Sequence, residues 1–304
     1  MHNALCFMTI GLLGAVAGLA QANDPAEWSV AIANEYRLVP DITYLVADGY
    51  ESKLDLILPR SEEPRPTLLY FHGGGWVAGS KEVSLLRLLP YVEMGWAVVN
   101  VEYRMASVAL APAAVEDCRC ALRWVRSNAE EYGFDVDKIV VSGHSAGGHL
   151  SLTTGTLPAA AGLDRRCPER GPGASTQDEE MSVAAIVNWY GITDVGDLLA
   201  GVNAKTYAVA WMGGLTDRLE IAERVSPLTY IRAGLPPVLT IHGNADPIVP
   251  YDHAIRLHEA LEEAGVVNQL HTVEGGGHGG FSTEELLEAH DVIRAFLARH
   301  VTGE

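Results

Sequence analysis

Residues 138–150 read KIVVSGHSAGGHL, and the residue there with the means to do chemistry is Ser145. It stands between Gly143 and Gly147 in the pattern G-x-S-x-G, where the β-branched run Ile139-Val140-Val141 gives way to AGGHLSLTTG. The run suits a buried strand, and the small, then apolar stretch suits a helix packed closely on a sheet. A serine at the apex of so tight a strand-to-helix turn has its hydroxyl lifted above the sheet end. The flanking glycines leave room where a side chain would collide with a neighbouring element. The chemistry such a serine offers is nucleophilic attack on a carbonyl. With 31 glycines in the chain, the pattern needs support from elsewhere.

A serine hydroxyl is a poor nucleophile near neutral pH unless a base takes its proton. The base needs an orienting acid, and the developing oxyanion needs donors already aimed at it. His278, in EGGGHGGF, is the candidate base, because glycines on both sides leave its ring free to reach across a sheet edge. His258, His271, His290 and His300 fall inside helices or strands and are worse placed. Asp246, in IHGNADPIVP, is the candidate acid, just past a strand in a turn stiffened by Pro247 and Pro250, with Glu274 and Asp252 in reserve. The order Ser, Asp, His is the one that this turn architecture uses. In FHGGGW, backbone N–H groups of Gly74 and Gly75 can turn toward one point, and Ala146 at a helix start adds another. Trp76 is placed to line a pocket or to share the hole through its own N–H, and His72 to brace the loop. Tyr190, Tyr207 and Trp211 are further aromatic candidates for substrate contact, although core packing explains aromatics equally well.

The elements that must position these residues are legible in outline. A short helix over PAEWSVAIANEY precedes two alternating strands, DITYLVA and SKLDLILP, joined by Asp48-Gly49-Tyr50-Glu51. TLLYFHGGGW is a buried strand ending in glycines. Helical pattern over 83–93, 112–132, 145–156, 252–264 and 284–299 then alternates with strands over 96–102, 139–142, 184–190, 236–243 and NQLHTVE. That rhythm predicts an α/β fold with a mostly parallel central sheet and helices on both faces. Residues 158–182 are polar and Gly/Pro-rich, a surface loop. Residues 191–235 carry short helical pieces between two strands and are expected as a small lid or side wall above the carboxyl edge of the sheet.

The 304 residues suffice for one large α/β domain, expected over 23–304, and neither a repeat nor a dividing linker is visible. With 39 acidic against 21 basic side chains, the net charge of −18 argues against nucleic acid and anionic membranes as partners and favours neutral substrates. No zinc-ligand spacing or dinucleotide fingerprint appears, so no cofactor is expected, and nothing in the sequence sets an oligomeric state. Residues 1–22 lack charged side chains, are apolar from Ala4 to Ala20 and end Ala20-Gln21-Ala22, which resembles a secretory signal and predicts a secreted or periplasmic protein. Cys118 shares a helical stripe with Val115, Leu122 and Val125, while Cys120 faces away from it. The pairing expected in an oxidising compartment is therefore Cys120 with Cys167, Cys118 staying a buried thiol.

Taken together, FHGGGWVAGSK, VEYRMA, PAAVEDCRCALRWVRSNAEEYGFDVDKIVVSGHSAGGHLS, NWYGITD, PPVLTIHGNADPIVP and GGGHGGF resemble the α/β-hydrolase superfamily in its esterase/lipase branch. Within that branch the chain is most similar to the bacterial bifunctional feruloyl and acetyl-xylan esterases. The resemblance implies an α/β-hydrolase fold, nucleophile, acid and base at Ser145, Asp246 and His278, and oxyanion donors in the HGGGW loop and at Ala146. The expected activity is hydrolysis of acetyl or feruloyl esters, on a small-molecule or carbohydrate substrate. The related hormone-sensitive-lipase family, a general carboxylesterase reading, ranks second. It usually has Asp before the serine and a larger N-terminal cap, whereas His144 holds that position here and only about 44 residues separate the signal from the HGGGW strand. A peptidase on the same fold, or a binding protein that has lost its chemistry, are the remaining alternatives. Prolyl-type peptidases usually carry a large extra domain, which these residues do not spell out, and binding proteins typically lose the serine or histidine.

Overall fold

The computed structural model describes residues 25–168, 181–214 and 216–303. The expected signal segment, 1–22, and most of the polar part of the 158–182 loop lie outside the described residues.

Eight strands form one sheet: β1 (Tyr36–Ala47), β2 (Tyr50–Pro59), β3 (Arg65–Phe71), β4 (Ala97–Val101), β5 (Phe134–His144), β6 (Ala185–Trp189), β7 (Val238–Gly243) and β8 (Asn268–Val273). Their order is β1-β2-β4-β3-β5-β6-β7-β8. The β1–β2 and β2–β4 pairings are antiparallel, and every pairing from β4 across to β8 is parallel. The parallel strands β4, β6 and β7 are buried at every position and are mostly apolar, with Asn100, Asn188, Thr240 and His242 as buried polar exceptions. Strand β1 begins earlier than its alternating stretch. Pro40 and the positive φ of Asp41 fall at a register shift in that hairpin, which an edge strand tolerates because one side has no partner to lose.

The helices are α1 (Pro25–Glu35), α2 (Leu89–Glu93), α3 (Ala113–Ser127), α4 (Ala129–Tyr132), α5 (Ala146–Thr156), α6 (Thr206–Met212), α7 (Arg218–Arg224), α8 (Asp252–Glu263) and α9 (Thr283–Leu297). Two expected helices are broken differently from their pattern. Residues 81–88 wind as a 3-10 helix and only 89–93 as α, because Pro90 sits in the first turn of α2, where its missing N–H costs nothing. The 112–132 helix divides at Asn128, whose side-chain amide donates to the Trp124 carbonyl at 2.7 Å and competes with the helical ladder. The α9 N-terminus carries a full capping box between Ser282 and Glu285.

One core cluster joins α3 and α5 to one face of the sheet and takes in much of 191–235, where Ile192, Val195, Leu198, Ala208, Trp211, Met212 and Val225 are fully buried. A second cluster lies on the other face, with Leu88, Tyr91 and Val92 beside Ile293 and Phe296 of α9. Cys120 and Cys167 form a disulfide, and Cys118 is a buried free thiol. Both α3 cysteines are buried, so the helix is covered around more of its circumference than a single stripe implies. A link across 47 positions restricts the unfolded chain by about 4 kcal/mol.

His149, in the second turn of α5, ties three segments together. Its Nδ1 accepts the Trp76 indole N–H at 3.2 Å, so Nε2 carries the proton and donates to the Val225 carbonyl at 2.7 Å. Burial drives its pKa down to about 3, against a small upward pull from that carbonyl, and burial does the same to His144. In the unfolded chain both imidazoles titrate near 6.5. As pH falls below about 6.5 the unfolded state takes up protons that the folded state refuses until about 3, so stability is full above this window and drains within it. Each such histidine contributes a slope of about 1.4 kcal/mol per pH unit. His149→Gln keeps one acceptor and one donor and does not titrate. It is expected to remove about one proton's worth of that slope in denaturant melts between pH 6 and 4, and an unchanged slope would contradict the assignment.

Candidate active site

Strand β5 runs straight into the turn that presents Ser145. The serine adopts φ 57°, ψ −120°, a strained conformation for a residue with a side chain, and α5 starts at the next residue. Its N–H donates to the Trp189 carbonyl at 2.9 Å, and its carbonyl accepts from His149 N–H at 3.0 Å, so the strained residue is fixed from both sides. The glycine spacing has a direct steric cause. A Cβ on Gly147 would sit 1.9 Å from the Phe71 carbonyl oxygen, and one on Gly143 would sit 2.4 Å from that of Gly147. Helix α5 approaches the end of β3 too closely for any side chain at either position.

His278 follows β8 in its glycine loop. Its Nε2 lies 2.8 Å from Ser145 Oγ and its Nδ1 2.7 Å from Asp246 Oδ2. The carboxylate can only accept, so Nδ1–H donates to it and the bare Nε2 accepts the serine proton. The Asp246 side chain is fully buried after β7. Its Oδ1 accepts N–H groups of Ile248 at 2.7 Å and Val249 at 3.0 Å. Burial alone would raise the Asp246 pKa. Hydrogen bonds from His242 and His278 and from the Ile248 N–H outweigh burial and hold the carboxyl well below the usual carboxylate range. Ser145, His278 and Asp246 are thus brought into one hydrogen-bonded line from three strand ends. The reserves lie elsewhere: Glu274 accepts from Asn244 at 2.6 Å, and Asp252 pairs with Arg256 at 2.7 Å.

His242 is a member of this group that sequence reasoning missed. Its Nε2 is 3.2 Å from Asp246 Oδ2 and 3.1 Å from the Val249 carbonyl, and the ring is fully buried. The signal was present as His242 four positions before Asp246 across a strand end, but a histidine inside an apolar strand reads as core.

In the HGGGW loop, Gly74 has φ 119° and Gly75 φ 60°. A Cβ on Gly74 would overlap the Ala78 carbonyl at 1.8 Å, and one on Gly75 would meet the Tyr207 ring at 2.8 Å. Among the described residues, the N–H groups of Gly74 and Gly75 have no hydrogen-bond acceptor, and Ala146, as the first helical residue, has none within α5. His72 braces the loop: its Nδ1 is 2.8 Å from the Gly73 carbonyl, and its ring stacks on Tyr103 at 4.3 Å.

The aromatic candidates are sorted by burial. Trp76 and Trp211 are fully enclosed and stacked on each other at 4.1 Å, so neither offers surface to a substrate; the pair is core that joins the glycine loop to 191–235. The Trp76 indole N–H is committed to His149. Tyr207 is half-buried over Gly75, its hydroxyl donating to the Ile248 carbonyl at 3.4 Å. Tyr190 is also buried, in the left-handed region at φ 39°, and its ring packs edge-on against His278 with centroids 4.8 Å apart. It acts as a wall behind the imidazole. Tyr190→Phe is expected to retain kcat within about threefold, whereas Tyr190→Leu lowers it about tenfold with little change in KM, because only the second frees the ring of His278. Equal losses in both variants would assign the effect to the hydroxyl. Among the described residues no three His, Cys, Asp or Glu side chains converge as a metal site, and no helix is long and apolar enough to cross a membrane.

The BD-FAE family model matches residues 54–261. The chain is 28% identical over 76% of its length to Esterase LipQ of Mycobacterium tuberculosis, covering 53% of that protein. It thus spans about half the length of the first curated relatives it matches. Among solved structures, a truncated carbohydrate esterase from gut microbiota superposes with a TM-score of 0.70 at 26% identity, covering 86% of this chain and 96% of the other. Esterase Est2 from the planctomycete Thermogutta terrifontis gives a TM-score of 0.69 at 30% identity, with 85% and 91% covered. The eight-stranded sheet, the serine at its strand-to-helix turn and these matches agree: the chain belongs to the BD-FAE family of α/β-hydrolase esterases.

Proposed function

We propose that this protein is a serine carboxylic-ester hydrolase acting on acetyl or feruloyl esters of plant polysaccharides. The observation that carries the reading is the line of contacts from Ser145 Oγ through His278 to Asp246, at 2.8 and 2.7 Å, on the strained turn of a BD-FAE family chain. Ser145 Oγ attacks the ester carbonyl while its proton passes to His278 Nε2. Asp246, ionised and buried, holds the imidazole's tautomer and stabilises the imidazolium. N–H groups of Gly74, Gly75 and Ala146 receive the oxyanion. Collapse of the tetrahedral intermediate breaks the ester C–O bond, and His278 gives its proton to the departing alcohol. Water then loses a proton to His278 and attacks the acyl-enzyme; the bond from the acyl carbon to Oγ breaks, His278 returns the proton to Ser145 Oγ, and the carboxylic acid leaves.

Residues 23–304 act as one catalytic domain, with 191–235 as a side wall and Tyr207 its point of contact with substrate. Secretion or a periplasmic location fits the Cys120–Cys167 disulfide and the apolar N-terminal segment. A polysaccharide substrate fits both this location and the gut-microbiota carbohydrate esterase among the structural neighbours.

The test is release of acetate from acetylated xylan and of ferulate from methyl ferulate, with Ser145→Ala as blank and p-nitrophenyl acetate as positive control. Release lost in the blank supports the polysaccharide reading and names the preferred acyl group. Activity on the control alone would make the protein a general short-chain carboxylesterase.

A further inference from the structure

A concavity lies outside the residues that carry the proposed chemistry. It is a pocket of about 430 Å³ between the 3-10 segment at 81–88 and α9, on the sheet face opposite α5. Tyr70, Tyr91 and Trp189 form its aromatic walls, Val83, Leu86 and Leu286 its apolar rim, and Arg87 and His290 its polar groups. Ser145, His278 and Asp246 do not line it.

Three features set this pocket apart. The first is charge: the chain carries −18, yet no carboxylate lines this pocket. Among the described residues no Asp or Glu lies within ion-pair distance of Arg87, whereas nearby Arg294 is neutralised by Glu93 at 2.8 Å. Burial lowers the pKa of His290, so Arg87 is the pocket's cation at neutral pH. The second is apolar surface: Val83 and Leu86 remain 66% and 77% exposed at the rim, over aromatic side chains that are nearly fully buried. The third is position. The Tyr70 hydroxyl is 3.0 Å from Nδ1 of His144, the neighbour of Ser145. The Arg87 guanidinium is in electrostatic reach of Tyr70, His144 and Tyr190, the last of which backs His278.

We infer that this pocket binds an aryl carboxylate, its ring between the edge of Trp189 and the apolar rim of Val83, Leu86 and Leu286, and its carboxylate on the Arg87 guanidinium. Aromatic walls favour a flat ring, and a guanidinium pairs a carboxylate through two parallel hydrogen bonds. The occupant sits one side chain, Tyr70, away from His144, and separate from the ester undergoing attack. The site does not depend on the hydrolytic reading, since binding there needs no turnover.

The test is calorimetric titration of Ser145→Ala protein with 4-hydroxycinnamate and, as the neutral comparison, 4-hydroxycinnamyl alcohol. The carboxylate is expected to bind about tenfold or more tightly than the alcohol. Arg87→Gln should abolish that preference, and Leu286→Trp, which fills the rim, should weaken both ligands. Arg87 is exposed and Leu286 half-buried, so both variants are expected to keep the parent's thermal midpoint, measured alongside. Absence of carboxylate binding would overturn the site. So would binding untouched by both substitutions, which would place the ligand outside this pocket.

Discussion

Ser145→Ala is expected to lower kcat for p-nitrophenyl acetate by about 10⁵- to 10⁶-fold while leaving the fold intact. The residual rate comes from whatever binding and oxyanion stabilisation achieve without a nucleophile. The substitution removes one hydroxyl whose only described partner is His278 and relieves nothing in the backbone, because alanine at φ 57° is as strained as serine. Thermal stability should therefore change little. Adding His278→Ala to Ser145→Ala should cost almost nothing more, since the two groups act as one unit. A Ser145→Ala enzyme that kept more than a hundredth of the parent rate would mean that another group attacks the ester.

Asp246→Asn carries the next largest expected effect, a loss of about 10⁴-fold in kcat with KM changed by no more than about threefold. The geometry gives the reason. The Asp246 Oδ1 accepts two backbone N–H groups, from Ile248 and Val249, so in asparagine the carbonyl oxygen takes that position and the amide NH₂ faces His278. An NH₂ group donates where the carboxylate accepted. His278 must then present a bare Nδ1 to it and carry its proton on Nε2, where it can no longer accept from Ser145. His242, on the same Oδ2, would face a donor as well. The effect is one of tautomer rather than of position. A kcat loss below about tenfold would show that the carboxylate is not what sets the imidazole.

Much of this arrangement could be read from sequence because it depends on local pattern. The mostly apolar β4, β6 and β7 are buried on both faces, and that burial is what marks a parallel sheet. The Gly143–Ser145–Gly147 spacing is forced by the approach of α5 to the Phe71 carbonyl, so it survives as a motif. The glycines around His278 read as a loop for the same kind of reason. What stayed hidden depends on contacts between distant segments. Trp76 and Trp211 stack on each other across 135 positions, and nothing near either residue distinguishes an enclosed tryptophan from one lining a cleft. Tyr190 has its role through His278, which lies 88 positions on. His242 is fully buried in β7, and its part in the site comes only from its contact with Asp246 beyond the strand end. The 3-10 winding of 81–88 likewise escapes a periodicity that expects α-helix, although Pro90 marked where the change falls.

Activation of Ser145 by His278 can be read out with a fluorophosphonate. Intact mass would count the adducts, and peptide mapping would locate them. One adduct per chain is expected, on the peptide containing Ser145, with labelling at least about a thousandfold slower in His278→Ala. No adduct, an adduct on a different residue, or equal rates in the parent and His278→Ala would contradict it.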